Sequence, residues 1–218
     1  MNKYTKSLVF NDEKHEYKVN GRTIPSVTEL CGPLTYSKYR VDSAVIDQAA
    51  FRGTMIHGLT ASWDRGDLEE DSIIQSDVGM YLMAWIRFCH DYSPEWEYIE
   101  LPLACRTYAG TVDRIGYIDD RLVVVDIKTT SSMDRANKIA LAMQLFGYTE
   151  LCHFNGIMED SGADVSYWSS MGIQLKKDGT YSVHLVDDIV QKYGVDPVET
   201  FSWLQKMNTL TKGERSCE

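Results

Sequence analysis

The sequence has little of several things that would assign it quickly to a class. Proline and cysteine number five each in 218 residues. The cysteines (Cys31, Cys89, Cys105, Cys152 and Cys217) are odd in number, scattered and without a CxxC pair, so neither a disulfide framework nor a zinc ribbon is indicated. No apolar run approaches the roughly 18 residues of a membrane span, and the lysines of the first segment have no apolar stretch behind them. A soluble cytoplasmic chain with reduced thiols and no membrane partner is expected. There is no internal repeat, and no G-x-x-x-x-G-K-[ST] phosphate loop, so any strand unwinding must come from elsewhere. Basic residues are outnumbered 22 to 32, a net charge of −10. This excludes a uniformly basic nucleic-acid coat but not a local one. The acid is concentrated in residues 59–105, at −8, whereas 1–58 carry +2 and 106–153 are neutral.

What is present is an ordinary globular composition, 44% hydrophobic with thirteen tyrosines. Its length suits one domain over residues 1–218. Alternation around Asn11-Asp12 predicts an N-terminal hairpin, and Ser26-Val27-Thr28-Glu29 has the form of a capping box opening a helix. Apolar residues at three- and four-residue intervals predict helices over 41–63 and 76–92, with a polar loop over 64–77. The period then changes. Three β-rich runs, 97–105, 108–118 and 121–128, form a meander, the last two joined by Asp119-Asp120. Three consecutive valines, Val123 to Val125, call for a central strand covered on both faces. A helix over 135–154, strands near 168–175 and 181–185, and a final helix over 197–210 complete an α/β chain of order α-β-β-β-α-β with a mixed central sheet.

The chemistry gathers at the end of the valine strand. Asp126-Ile127-Lys128 lies there, and the hairpin partner carries Gly110-Thr111-Val112-Asp113, so two carboxylates converge while Lys128 projects to the face of Asp126. Carboxylate oxygens and a backbone carbonyl are the hard ligands that Mg²⁺ or Mn²⁺ prefers. With an ammonium group beside them they suit phosphodiester hydrolysis. Two look-alikes, Asp12-Glu13-Lys14 and Gly116-Tyr117-Ile118-Asp119, fall at predicted turns, where aspartate is common for backbone reasons. A carboxylate after three valines, by contrast, is costly unless something compensates it. Gly53-Thr54-Met55-Ile56-His57 lies in the first long helix, and Gln144 and Tyr148 share one face of the helix after the sheet.

In this order, over about residues 24–176, the elements G-x-x-x-H, a first-strand acid, G-x-x-D, D-x-K and Q-x-x-x-Y resemble the RecB-like branch of the PD-(D/E)XK nuclease superfamily, which includes phage recombination exonucleases. The resemblance implies a restriction-endonuclease-like core, with 177–218 adding a hairpin strand and a helix. It further implies that Asp113, Asp126 and the Ile127 carbonyl ligate Mg²⁺ or Mn²⁺, with His57 a further ligand or lining residue. Lys128 would act on the attacking water, Glu100 would be the first-strand acid, and Gln144 and Tyr148 would buttress the site or touch DNA. Iron-sulfur members of the branch carry three clustered C-terminal cysteines, whereas only Cys152 and Cys217 follow Lys128 here, so no iron-sulfur cluster is expected.

DNA contact must come from locally basic segments: Lys38, Arg40 and Arg52 around the histidine helix, Arg106 and Arg114 around Asp113, and Arg135 and Lys138 at the start of the Gln144 helix. Ser26 and Thr28 are further phosphate-binding residues at a helix start, and Tyr36, Tyr39 and Tyr108 are stacking residues for a single-stranded end. The sequence thus points to a metal-dependent DNA exonuclease of recombination or repair, compact enough to be phage-encoded. A single-strand annealing protein is the partner that the family suggests. An endonuclease of the same superfamily, and a non-catalytic binding module on a nuclease fold, are the alternatives.

Overall fold

The structure, a computed structural model, describes residues 1–11, 16–35, 43–68, 78–157 and 169–214. A short helix α1 (Lys3–Lys6) precedes strands β1 (Leu8–Asn11), β2 (Glu16–Val19) and β3 (Arg22–Ile24), which form an antiparallel sheet in that order. The expected hairpin therefore has a third strand, turned at Asn20-Gly21, where φ of 50° and 76° at both residues matches the primed turn that suits strand twist. Its first turn, with Asp12, falls outside the described residues.

Helix α2 (Val27–Cys31) and a 3₁₀ turn over Gly32–Leu34 lead to the long helices α3 (Ser43–Asp64) and α4 (Gly79–Tyr92). Strands β4 (Glu95–Ala104), β5 (Ala109–Ile118) and β6 (Arg121–Lys128) follow, then α5 (Arg135–Phe154), β7 (Ser169–Leu175), β8 (Tyr181–Leu185), α6 (Val186–Tyr193) and α7 (Pro197–Glu214). The main sheet runs β4-β5-β6-β7-β8, with β6 and β7 parallel and every other pair antiparallel. Its parallel step is bridged by α5, the crossover that parallel neighbours require. The core order is thus α-β-β-β-α-β, a mixed sheet between helices. Helix α6, not expected from the sequence, packs against α5 and closes on Gly194 at φ 62°. Among the described residues no helix is long and apolar enough to cross a membrane.

Strand β6 shows why the valine run is unbroken. Val124 packs into the core shared with α5, while Val123, Val125 and Ile127 pack into the one shared with α4. Each such side chain contributes roughly 1.5–3 kcal/mol on burial, and only a strand covered on both faces collects it from consecutive residues. The β5–β6 turn at Asp119-Asp120 has φ of 49° and 59°, again the primed geometry. Gly116 in β5 meets a different need. A Cβ there would run into the Glu95 carbonyl and lie 2.8 Å from the Trp96 Cα, both backbone atoms that cannot swing aside. Gly116→Ala is accordingly expected to destabilise the fold by about 1–3 kcal/mol. A lowered urea midpoint with an unchanged slope would show it, and an unchanged midpoint would contradict the close approach.

Candidate active site

Three elements deliver side chains to the C-terminal end of β6. The strand itself ends in Asp126-Ile127-Lys128, its antiparallel neighbour β5 carries Asp113, and α3 lays His57 across both. Asp113 Oδ2 accepts the Ile127 backbone N–H at 2.6 Å, pinning the two strands together at the site. Nε2–H of His57 donates to the Ile127 carbonyl at 3.1 Å, which fixes the tautomer and turns Nδ1 toward the acids. From Nδ1 the Asp113 Oδ1 is 3.3 Å away and the Glu100 Oε1, on β4, 3.7 Å. His57, Glu100 and Asp113 thus bring one nitrogen and two oxygens within 4.8 Å of one another.

Asp126 stands beside this cluster at 1% exposure. Lys128 Nζ straddles its carboxylate, 2.8 Å from Oδ2 and hydrogen-bonded to Oδ1 at 3.1 Å. Oδ2 is nonetheless buried without a hydrogen bond, so a lone pair remains to be used. Lys128 also donates to Gln144 Oε1 at 2.8 Å, and the Gln144 amide donates to the Tyr148 hydroxyl at 2.9 Å and to Thr28 Oγ1 at 3.2 Å. A chain from α2 through α5 therefore holds the ammonium group in place. The Tyr148 ring comes close enough because Gly110 has no side chain: a Cβ there would lie 2.7 Å from the ring. The glycine of G-x-x-D and the tyrosine of Q-x-x-x-Y are thus two halves of one contact.

The electrostatics follow from this packing. Burial raises Asp126, and Asp113 beside it adds to the rise while Lys128 offsets part, leaving its carboxyl at about 6. Asp113 is pulled the other way: burial alone would raise it, but His57, the Ile127 N–H and Lys128 hold it below the usual carboxylate range. Burial disfavours the charged His57 ring, yet Asp113 and Glu100 together outweigh that and push it up to about 10. Among the described residues, Asp64, Glu100, Asp113 and Asp126 face Arg114 and Lys128 as fixed cations, so with neutral His57 two negative charges are uncompensated by them. That deficit, two carboxylates with an imidazole, and the Asp126 carboxylate beside them together fit a divalent cation.

A family model of the PD-(D/E)XK nuclease superfamily matches residues 36–215. The chain belongs to the PD-(D/E)XK nuclease superfamily. A comparison with curated proteins gave no match. Members of this superfamily are metal-dependent nucleases, and the His57–Glu100–Asp113 cluster is where this PD-(D/E)XK chain could hold the metal.

The residues expected at the site or on DNA fall in different surroundings. The Ile127 carbonyl, expected as a metal ligand, accepts the His57 hydrogen bond. Arg114, expected on DNA, is 0% exposed, with its guanidinium bonded to Asp64, Glu100, Thr60 and the Asp113 carbonyl. It is unavailable to phosphate because it answers the carboxylates beneath the site. Gln144 and Tyr148, also offered as DNA contacts, are buried behind Lys128, since only there can their polar ends satisfy one another. Ser26 is buried in its own capping box, its hydroxyl accepting the Glu29 N–H and its backbone N–H donating to the Glu29 carboxylate, which keeps it away from a phosphate at the surface. Tyr108 is buried with its ring edge-on to Phe201. Thr28 is exposed on the cleft beside Lys128, which Thr35, Thr130 and Asn137 also wall. Arg135 is exposed over the Tyr193 ring, and Arg52 and Lys138 are half-buried. Lys38, Arg40, Tyr36 and Tyr39 lie outside the described residues.

Asp64 was expected in a loop, yet it is the last residue of α3, with a buried side chain. His57, Thr60 and Asp64 are spaced i, i+3, i+7, one face of a helix. That spacing is the signal in the sequence that points to it.

Proposed function

We propose that this PD-(D/E)XK nuclease is a DNA exonuclease that hydrolyses phosphodiester bonds at DNA ends in recombination or repair, and that it belongs with the RecB-like, phage recombination branch. The observation that carries the hydrolytic part is the pairing of Lys128, fixed by Asp126 and Gln144, with the His57–Glu100–Asp113 cluster across the same strand end. His57 Nδ1, Glu100 and Asp113 would hold Mg²⁺ or Mn²⁺, with Asp126 as a further carboxylate beside them. A cation held there would supply Lewis acidity toward a water and the scissile phosphate. Lys128 carries its ammonium group on the open side of Asp126, where it can orient that water and stabilise charge developing on the phosphate oxygens. Asp113 keeps β5 and β6 in register under the reacting atoms through Ile127. Thr28, Thr35, Thr130 and Asn137 on the adjoining cleft offer neutral donors to a backbone arriving at Lys128.

Dependence on an end is supported by the charge balance and by the order of the motifs. At −10 overall, and with Arg114 buried, the chain has few cations with which to wrap long duplex independently of sequence. A labelled linear duplex is therefore expected to be degraded while covalently closed supercoiled plasmid of the same sequence survives. Rapid linearisation of the closed plasmid by wild type and not by a Lys128→Ala protein would instead make the chain an endonuclease.

A further inference from the structure

Glu100 is the most constrained residue near the site. It lies inside β4, between residues paired to Arg114 and Val112, yet its φ is 54°, in the left-handed region that a residue with a Cβ avoids. Such a backbone is strained and persists only where the surroundings over-determine it. What lies behind its carboxylate is Arg114, whose Nη1 donates to Oε1 at 3.0 Å. Arg114 in turn is fixed at every other nitrogen. Nε donates to Asp64 Oδ2 at 2.6 Å, Nη2 to Thr60 Oγ1 at 3.1 Å, and Nη1 also to the Asp113 carbonyl at 2.6 Å. The guanidinium lies over the Trp85 ring, 5.3 Å from its centroid, and the Trp85 indole N–H holds the other Asp64 oxygen at 3.0 Å.

We propose that Arg114 is a positioning residue: anchored by Asp64, Thr60 and Trp85, it aims the Glu100 carboxylate at the cation cluster of His57 and Asp113. The inference rests on the cation site described above. A purely structural role, stapling α3 to the sheet, accounts for the Asp64 contact but not for the third arm on Glu100 or for the left-handed backbone there. Stability alone is also a poor reason for a buried ion pair, because apolar replacements of both partners are often neutral or stabilising. The guanidinium fork suits the task better than an ammonium group would. Its planar donors reach Asp64 and Glu100 in fixed directions at once, so the position of one carboxylate sets that of the other.

The test uses Mn²⁺ alone, titrated calorimetrically into the full chain near neutral pH without DNA. Replacing both buried partners, as Arg114→Met with Asp64→Leu, keeps volume and removes the two fully buried charges together, leaving Glu100 with His57 as its charged neighbour. It is expected to unfold cooperatively like wild type but to bind Mn²⁺ about tenfold or more weakly, as for other residues that orient a metal ligand. Glu100→Ala should weaken binding to a similar extent. Because Arg114 acts through Glu100, adding the paired replacement to Glu100→Ala should cost little further affinity. Wild-type affinity in the folded paired variant, or a full additive loss on top of Glu100→Ala, would overturn the inference. If the paired variant does not unfold cooperatively, Arg114→Lys decides, since lysine keeps the charge but cannot span Asp64 and Glu100 together. Weakened binding by Arg114→Lys supports the role, and wild-type binding overturns it. A wild-type chain that takes up no Mn²⁺ would defeat the cation site itself, an outcome distinct from unaltered binding by the variants.

Discussion

Lys128→Ala is expected to lower the rate of DNA hydrolysis by two or more orders of magnitude while leaving DNA binding and the fold largely intact. The size follows from what the ammonium group does. It is a fixed cation on the open side of the strand end, held at 2.8 Å by Gln144 and against both oxygens of Asp126. Donors already aimed where charge develops are typically worth 10²–10³ in turnover, because they need no reorganisation during the reaction. The fold should tolerate the loss for a specific reason. Removing Lys128 strands the buried Asp126, but that carboxyl already sits at about 6 and can take up a proton instead of remaining an unpaired charge. Asp126→Ala should impair turnover comparably, as the ammonium group loses one of its two anchors. Single-turnover cleavage of an end-labelled duplex, with binding measured separately, distinguishes these outcomes. Cleavage at the wild-type rate by either variant would remove the pair from the chemistry.

How far the site was legible in the sequence depends on whether the signal was local. The valine run, the Asp119-Asp120 turn and the Ser26–Glu29 capping box are short-range patterns with one physical solution each, and they fixed β6, the meander and the start of α2 closely. Helix α6 has only eight residues, too few for periodicity to separate it from a strand end. The third strand of the N-terminal sheet is three residues long, and its Asn20-Gly21 turn is the clue that marks it. Electrostatic partners are harder, because they are set by which chain segments meet. Arg114 looks like a surface cation beside Asp113 until Asp64, fifty residues away, is placed beneath it. Likewise Gln144 and Tyr148 look as suited to DNA as to packing. Only the Gly110 contact and the bonds to Lys128 and Thr28 show that they face inward.

Removing divalent cations is expected to abolish hydrolysis outright and to leave a folded protein whose stability falls with rising pH in a window that His57 sets. In the absence of a cation the imidazolium answers the surplus of carboxylates, and His57 is pushed up to about 10 from an ordinary 6.5. A folded-state pKa raised above the unfolded value gives stability that is fully present below 6.5 and is lost as pH rises toward the folded value. Asp126, also raised, acts in the same direction but lower, between the ordinary carboxylate range and about 6. The thiols of Cys31 and Cys152, both pushed by burial to about 12, begin to act only above the ordinary cysteine range, near 8.5. Melting in EDTA between pH 6.5 and about 8.5 therefore reads His57, with the Asp64 carboxyl, also raised by burial, acting in the same direction and separated from it by the His57→Asn variant. The ring is 28% exposed, which limits the attraction, so a fall in Tm of a few degrees is the expected size. With Mn²⁺ present the dependence should flatten or reverse, because a ligating imidazole must be neutral and cation binding releases its proton. His57→Asn should remove the His57 share of the slope in EDTA along with most of the response to Mn²⁺. A flat Tm across that window in the wild type would show that His57 is not charged there, and full hydrolysis after exhaustive chelation would remove the cation from the reaction.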